Sequence, residues 1–271
     1  MSDEAFADFA LFRSEIHAMS ARAIHVFDGL EALLAAAARS FVRCAREAIA
    51  ARGRFTVALS GGSTPKPLYQ RLSAEPSRSE VDWNRVHIFW GDERCVPPDH
   101  VDSNYRMARE AMLDSLPIPR EQIHRMEAER ADREAAARDY EAALARVFGV
   151  STEGEPPSLD LILLGMGPDG HTASLFPGTK ALEETVRWVV VNRVPKFNAD
   201  RLTMTKPILN RAREVLFLVA GGDKAEVLAE VLNGPADPLR LPSQSIRPQG
   251  QLVWFVERAA AAKWKESTAI S

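Results

Sequence analysis

The sequence predicts an α/β fold with a mainly parallel sheet flanked by helices on both faces. Segments with helical and strand patterns alternate along the 271 residues, as they do in chains built from βαβ units. The candidate strands are mostly continuous apolar runs, which indicates that both faces of the sheet are buried. Apolar residues make up 46% of the chain, so a sizeable core can form. We therefore expect a single α/β domain over residues 1–271.

The first elements follow helical and strand patterns in turn. Residues 30–52 predict a long amphipathic helix, which Gly53 ends. Residues 55–60 (FTVALS) predict a strand, and a second helix begins near Pro65, since proline suits the first turn of a helix. Apolar residues of the long helix recur at helical spacing at Leu33, Leu34, Ala37, Phe41, Ala45 and Ile49.

The rest of the chain continues the alternation. Residues 86–92 predict a strand, and residues 103–113 predict a helix with Ser103 as its N-cap. Further helices are predicted over 130–148, 223–233 and 258–266. Further strands are predicted over 159–165, 186–194, 214–221 and 251–257. The remaining segments are interpreted as loops, at 73–80, 149–158 and 233–250.

The bulk composition argues against several classes of protein. A formal net charge of −3 disfavours non-specific nucleic-acid binding, which needs a basic surface. No apolar run approaches the roughly 20 residues that span a bilayer, so we expect no membrane partner. The first residues are acidic where a signal peptide is basic, and Cys44 and Cys95 favour reduced thiols over a disulfide framework. These features predict a cytoplasmic protein, whose oligomeric state the sequence does not determine.

A glycine- and hydroxyl-rich segment follows the strand over 55–60. In open parallel sheets ligands bind beyond the carboxyl ends of the strands, which makes such segments candidates for a site. Two glycines let the backbone approach a ligand, and N–H groups at a helix start bind anions. The Lys–Ser/Thr ending of a P-loop is missing. A phosphate cradle and a capped tight turn both stay open for Ser60, Gly61, Gly62, Ser63 and Thr64.

Charged residues follow the strand over 86–92. Asp92, Glu93 and Arg94 are adjacent where that strand ends. Paired acids suit acid–base chemistry, and an arginine can clamp an anion. The alternative interpretation is a solvated charged turn.

A glycine-rich bend with one histidine follows the strand over 159–165. Gly165, Gly167 and Gly170 allow unusual backbone conformations. Histidine is the side chain whose ordinary pKa, about 6.5, is nearest neutrality, so His171 is a candidate base. Asp169, two residues earlier, is placed to orient the ring. We favour this catalytic interpretation over a histidine that only caps a turn.

Basic residues follow two later strands. Arg201 and Lys206 come after the strand over 186–194, and Lys224 comes at the start of the helix after 214–221. A cation at a helix N-terminus opposes the helix dipole, and an anion between them makes the arrangement favourable. A solvated surface role is the alternative for each. The histidines and cysteines show no metal-ligand spacing, so we predict no metal.

Taken in order, these strand ends resemble the 6-phosphogluconolactonase family. The resemblance covers about residues 27–256 and rests on the combination of segments, each of which is weak alone. It implies a Rossmann-like fold similar to that of the glucosamine-6-phosphate deaminases, and no metal or organic cofactor. The matching segments are LSGGSTP (59–65), WGDERCVPPDHVDSNYRMA (90–108), GMGPDGHTASLFPG (165–178), RLTMTKPILNRA (201–212), GGDKAEVL (221–228) and LPSQSIRP (241–248).

The deaminases are the nearest alternative, and one position separates the two groups. The deaminases that this chain resembles carry a glutamate five residues after the histidine, where it helps to open the sugar ring. This chain has Phe176 there, and a phenylalanine cannot transfer a proton. A second alternative is a non-catalytic sugar-phosphate sensor, which would not need Asp169 and His171 together.

The resemblance implies a role for each candidate residue. His171 activates water that attacks the carbonyl of 6-phosphoglucono-δ-lactone, a substrate of the oxidative pentose phosphate pathway, and Asp169 orients the ring. Arg94 contacts the sugar acid or the oxyanion. The 6-phosphate is bound by residues 60–64, with its charge neutralised by Arg201, Lys206 and Lys224.

Overall fold

The structure, a computed structural model, describes residues 22–265 of the chain. It contains nine strands within that range. In chain order they are β1 (Ala23–Phe27), β2 (Phe55–Leu59), β3 (Val86–Trp90), β4 (Asp92–Arg94), β5 (Leu161–Gly165), β6 (Val189–Val194), β7 (Ala199–Met204), β8 (Glu214–Val219) and β9 (Gln251–Glu257).

Six strands form one parallel sheet, as the continuous apolar runs predict. Their order across the sheet is β1-β9-β8-β5-β2-β3, and every pair is parallel. The chain moves from β2 outward to β3, then returns to β5 on the other side of β2 and moves outward through β8 and β9. The direction of winding therefore reverses between β2 and β5, and such a switch point is where open α/β sheets bind ligands.

Both faces of this sheet are covered by apolar side chains. Along β2, Val57 and Leu59 belong to one buried cluster and Ala58 to the other. The same alternation holds in β5, where Leu163 and Leu164 point to opposite clusters. Burial on both faces explains why these strands show no polar alternation in the sequence.

Helices pack on both sides of the sheet. The longest ends as predicted, because Gly53 adopts φ 74° and donates its N–H to Ile49 O, the left-handed conformation that glycine favours. Ser103 is the predicted N-cap and accepts from Arg106 N. The helices of the described residues are α1 (Leu30–Arg52), α2 (Pro65–Leu72), α3 (Ser77–Glu80), α4 (Asn104–Ala111), α5 (Arg133–Phe148), α6 (Lys206–Leu209) and α7 (Ala225–Asn233).

A second, antiparallel sheet lies at the carboxyl edge of the first. Its strand order is β4-β7-β6. Gly91 alone separates β3 from β4, and it joins the sheets because its carbonyl accepts from Met204 N at 2.7 Å. The predicted strand over 86–92 is therefore two strands in different sheets, and the predicted strand over 186–194 begins at Val189 and pairs outside the parallel sheet.

Several predictions from the pattern are wrong in detail. β1, α3 and β7 lie in segments where the pattern predicts no such elements. The alanine-rich segment predicted as a helix forms turns over 258–263 directly after β9, where Arg258 N donates to Phe27 O of β1 and Ala261 N to Glu257 O; residue 266 of that prediction lies outside the described residues. The single-domain organisation of residues 1–271 stays a prediction. No helix in the described residues is long and apolar enough to cross a membrane.

Candidate active site

Three of the predicted segments meet at the carboxyl edge of the parallel sheet. β5 lies between β2 and β8, so the segment after β5 is flanked by the segments after β2 and β8. Neighbouring strands are about 4.8 Å apart. The strand order thus places the segment that contains His171 between the segments that contain residues 60–64 and Lys224.

The bend after β5 places the imidazole of His171 directly beside the backbone of Gly167. Gly167 N donates to His171 O at 2.9 Å. A Cβ on Gly167 would lie 2.0 Å from His171 Cε1, so no other residue fits while the ring stays in place. Gly170 has φ 76°, and its carbonyl accepts from Ser243 N and Oγ, each at 2.9 Å. The glycines therefore set the position of the histidine.

His171 and Asp169 form a hydrogen-bonded dyad. Asp169 Oδ1 accepts from His171 Nδ1, so the neutral ring carries its free lone pair on Nε2. Nε2 has no hydrogen-bond partner within the described residues. Burial alone would raise the pKa of Asp169, but hydrogen bonds from His171 and Lys196 outweigh it and hold that pKa well below its usual range. The result is an ionised carboxylate behind an imidazole, the arrangement of a general base.

Phe176 packs on the imidazole. The two rings stack with centroids 4.0 Å apart and planes inclined by 23°. Phe176 is buried, and Phe197 contacts it edge-on at 5.6 Å. One ring face of His171 is therefore apolar, at the position where the deaminases that the chain resembles carry a glutamate.

The sequence did not point to Lys196. Its Nζ lies 2.8 Å from Asp169 Oδ2, across 27 residues of chain. Lys196 comes from the turn between β6 and β7, and only the tertiary fold brings it to the dyad. A basic residue after a predicted strand is the only signal for it in the sequence.

Residues 60–64 present free backbone donors before α2. Tyr69 fixes the start of the segment, because its hydroxyl accepts from Ser60 N and donates to Ser60 O at 2.7 Å. Gly62 has φ 110°, which favours glycine. The N–H groups at 61–64 precede the hydrogen-bonded turns of α2 and make no backbone hydrogen bond within the described residues. Ser60 Oγ is buried without a partner there. Such a row of donors suits an anion.

Arg94 and Arg201 lie directly opposite each other on β4 and β7. Like charges in this position destabilise a sheet unless an anion lies near them. Burial lowers the pKa of Arg201, and the neighbouring Arg94 lowers it further. Arg94 Nη1 donates to Asp102 O at 2.6 Å, and its Nε is buried without a partner in the described chain. The negative charges of Asp92 and Glu93 oppose the lowering of the pKa of Arg201, so the two buried acids partly balance the positive charge of the arginine pair.

Asp92 and Glu93 do not lie in a solvated turn, the alternative that the sequence left open, because their exposed fractions are only 6% and 4%. Glu93 accepts from Ser103 Oγ, Asn104 N and Tyr105 N at the start of α4, and from Arg94 N. Asp92 Oδ2 accepts from Ser174 Oγ at 2.6 Å, and its carbonyl accepts from Asn104 Nδ2 at 2.9 Å. Both acids are therefore structural.

Asn104 links these acids to residues 60–64. A Cβ on Gly61 would lie 1.8 Å from Asn104 Oδ1, so the amide fills the space beside that glycine. Ser174 is three residues after His171 and contacts Asp92, which contacts Asn104. A continuous set of contacts thus joins the histidine bend to the glycine-rich segment.

The two predicted lysines differ in their contacts. Lys224 Nζ donates to Ala220 O at 2.6 Å, which holds it at the end of β8. Gly221, with φ 99°, makes the turn that places it there. Lys206 is the first residue of α6 and makes no hydrogen bond or ion pair with the other predicted site residues. Lys224 likewise makes no hydrogen bond or ion pair with them within the described residues, so the membership of both lysines in the site stays a prediction.

The remaining features of the described chain bear on metal binding and on a second concave surface. No group of three or more His, Cys, Asp or Glu residues there could hold a metal ion. An open basin of about 940 Å³ lies elsewhere and contains none of the predicted site residues. Two of its arginines are neutralised by acids, Arg125 by Glu129 and Arg130 by Asp139.

Comparison with known families and curated proteins identifies the family of this chain. Residues 28–254 match the family described as glucosamine-6-phosphate isomerases/6-phosphogluconolactonase. A 6-phosphogluconolactonase of Synechocystis sp. is 50% identical over 214 residues, covering 79% of this chain and 86% of the relative. A 6-phosphogluconolactonase of Mycobacterium tuberculosis is 40% identical over 246 residues, covering 89% of this chain and 97% of the relative.

Solved structures agree as well. The 6-phosphogluconolactonase of Trypanosoma brucei has a TM-score of 0.78 at 31% identity, over 90% of this chain and 99% of that chain. A monomeric glucosamine-6-phosphate deaminase has a TM-score of 0.74 at 20% identity, over 89% of this chain and 99% of that chain. At 20% identity, the likeness to the deaminase shows a shared fold only, and it confirms the predicted fold class.

Proposed function

This chain belongs to the glucosamine-6-phosphate isomerase/6-phosphogluconolactonase family, and we propose that it hydrolyses 6-phospho-D-glucono-1,5-lactone to 6-phospho-D-gluconate by histidine-activated water. It is a carboxylic ester hydrolase of the oxidative pentose phosphate pathway. The observation that carries the mechanism is the His171–Asp169 dyad, whose Nε2 has no hydrogen-bond partner among the described residues.

Phe176 supports lactone hydrolysis over deamination. Deamination of an amino sugar needs a further group that moves protons during ring opening. Here the position holds an apolar ring stacked 4.0 Å from the imidazole. A lactone needs no such group, because it is already the closed ester.

His171 moves one proton twice. Nε2 takes a proton from water, and the hydroxide attacks the lactone carbonyl to form a tetrahedral intermediate. The C–O bond to the ring oxygen then breaks, and that oxygen takes the proton from the imidazolium. Asp169 stabilises the imidazolium between these steps through the bond at Nδ1. No covalent enzyme intermediate forms.

The phosphate binds away from the reacting carbonyl. The free N–H groups and hydroxyls of residues 60–64 hold it, and Lys224, Lys206 and Arg201 neutralise its charge. Since the phosphate does not react, its binding energy positions the lactone for attack.

Arg94 contacts the sugar acid or the oxyanion of the intermediate. Arg94 is only partly buried and its Nη1 donates to Asp102 O, while its Nη2 has no hydrogen-bond partner within the described residues and is the group that would donate to a substrate oxygen. One oxyanion donor contributes roughly 10²–10³-fold to a rate, and a general base contributes about 10²–10⁴-fold. Together they suffice for an activated ester, and the chemistry needs no metal or organic cofactor.

The experiment that tests the function follows proton release from freshly made lactone. Wild-type protein should accelerate it, and a sensor would not. The same preparation with glucosamine 6-phosphate should release no ammonia. His171→Ala should lower kcat at least about 100-fold with little change in KM, whereas Lys224→Ala should chiefly raise KM. Near-normal turnover in the histidine variant would show that the assignment of the base is wrong.

We also propose the cytoplasm as the location. Cys44 and Cys95 form no disulfide, as suits a reducing compartment. Plant relatives at 39% identity are named as chloroplastic, so the family works in more than one reducing compartment. Fractionation of the source cells with antibody detection would test it, and recovery with a periplasmic or membrane fraction would contradict it.

A further inference from the structure

The turn between β6 and β7 contacts the dyad with two consecutive side chains. The turn is Pro195–Phe197, followed by Asn198 with φ 48°. From it Lys196 reaches Asp169, with 2.8 Å between Nζ and Oδ2. Phe197 packs against Phe176, which stacks on the imidazole. The proposed mechanism uses neither residue of the turn.

Asp169 is shared between two hydrogen-bond partners. Oδ1 accepts from His171 and Oδ2 from Lys196. A carboxylate held at both oxygens cannot rotate, so the imidazole that it orients is also fixed. The side chains of His171 and Asp169 are 23% and 25% exposed, so solvent screens this interaction only in part.

The charge of Lys196 also acts on the imidazole. A carboxylate beside a histidine favours the protonated ring, and a protonated ring is no base. A lysine on the far oxygen offsets part of that negative charge. Within the described residues, Lys196 is the charged side chain that pairs with the dyad from outside it. Arg201 lies over Phe197, 5.3 Å from its ring centre.

We propose that Lys196 is a positioning residue of the dyad: it fixes the Asp169 carboxylate and keeps the imidazole available as a base near neutral pH. Lys196 acts through Asp169 and not on the substrate. The kinetic part of this inference rests on the proposed function, whereas its effect on the proton equilibrium of the ring does not.

The test compares Lys196→Met with wild type by two measurements. With lactone as substrate, the acid limb of the kcat/KM profile should move to higher pH by about 0.5–1 unit, the size expected for one nearby charge in a half-exposed site. KM should stay within about twofold. In the free protein, NMR titration of the His171 ring Cε1–H should show its midpoint moving by the same amount.

Two variants serve as controls. Lys196→Arg keeps the charge and should keep both the profile and the titration midpoint. Arg193→Met removes another cation of the same hairpin, one that bonds Asp200 and Asn198 but does not contact Asp169. It should leave both measurements unchanged, and circular dichroism should show that each variant is folded.

The outcomes separate the inference from the function. A shifted titration midpoint in a protein that does not hydrolyse the lactone supports the role of Lys196 and removes the proposed function. An unchanged midpoint and an unchanged acid limb in Lys196→Met overturn the inference. A KM raised more than tenfold with an unchanged midpoint also overturns it, since Lys196 then binds substrate. The same shift in Arg193→Met overturns it as a general effect of hairpin charge.

Discussion

Gly167 determines how close the imidazole lies to the backbone. A methyl group on that residue would overlap the ring, with 2.0 Å to Cε1 and 2.1 Å to Nδ1. The ring must therefore turn away when Gly167 is replaced, and the hydrogen bond to Asp169 is lost with it. Misplacing a catalytic group by about 1 Å costs on the order of 10²-fold in rate.

We expect Gly167→Ala to lower kcat about 100-fold while the protein stays folded, measured with the lactone assay and a thermal melt. Gly165→Ala is the matched control, because a Cβ there meets nothing within 4 Å. It should keep most of the wild-type kcat. Full activity in Gly167→Ala would mean that the ring position does not limit the rate.

Sequence reasoning predicts the local part of this site and misses the distant part. Asp169 and His171 are two residues apart on a glycine bend, so their contact follows from chain geometry. The contact of Asp169 with Lys196 spans 27 residues, and it depends on the pairing of β6 with β7. The same holds for Phe197 on Phe176. No spacing in the sequence encodes such contacts.

The start of α4 depends on Glu93. This buried carboxylate accepts from two backbone N–H groups of the first turn and from the N-cap hydroxyl of Ser103. A negative charge at a helix N-terminus is stabilised by the helix dipole. Burial raises the pKa of Glu93, and these backbone hydrogen bonds oppose that rise.

Glu93→Gln should lower the free energy of unfolding by about 2 kcal/mol, because an amide accepts fewer of these bonds and carries no charge. Urea unfolding followed by fluorescence measures it. Glu110→Gln is the control, since Glu110 lies on the same helix but is exposed and pairs only with Arg106 and Arg109. Equal midpoints for the two variants would contradict the capping role.

The strands of the second sheet show why sequence patterns fail for short elements. β7 contains Asp200 and Arg201 and has little apolar character at its start; it becomes a strand because β6 and β4 pair with it on either side. Tertiary pairing overrides local propensity in this strand. The alanine-rich segment at 258–263 has high helix propensity and forms turns instead, and no contact in the structure explains that difference.

The whole molecule contains a pair of histidines that resist protonation. His87 Nδ1 and His124 Nε2 are 3.1 Å apart, and His124 also stacks on Phe89. Burial lowers the pKa of both rings, that of His124 to about 4; Arg54 adds to the effect on His87, and His87 and Arg146 add to that on His124.

The folded protein should therefore lose stability in acid. In the folded state both rings bind protons less readily than in the unfolded chain, whose ordinary histidine pKa is about 6.5, and His124 stays mostly neutral until the pH approaches about 4. The free energy of unfolding then falls as the pH drops from about 6.5 towards 4. Between pH 7 and pH 5 the loss from His124 should be about 1 kcal/mol after allowing for partial exposure.

Urea midpoints at pH 7 and pH 5 measure this loss. His124→Gln should lose less stability than wild type over that interval. His100→Gln, at an exposed histidine outside the pair, should lose as much as wild type. An equal loss in wild type and His124→Gln would show that the pair does not contribute.

Asp92 connects the segment that is proposed to bind the phosphate with the bend that carries the proposed catalytic histidine. Its carboxylate holds Ser174 of the histidine bend, its carbonyl holds Asn104, and that amide occupies the space beside Gly61. If only one of these segments were replaced by the equivalent segment of a distant relative, its side chains would no longer match their contacts with Asp92. Chimeric enzymes should work when residues 60–64, 92–104 and 167–176 are exchanged as one set, and fail when they are exchanged singly.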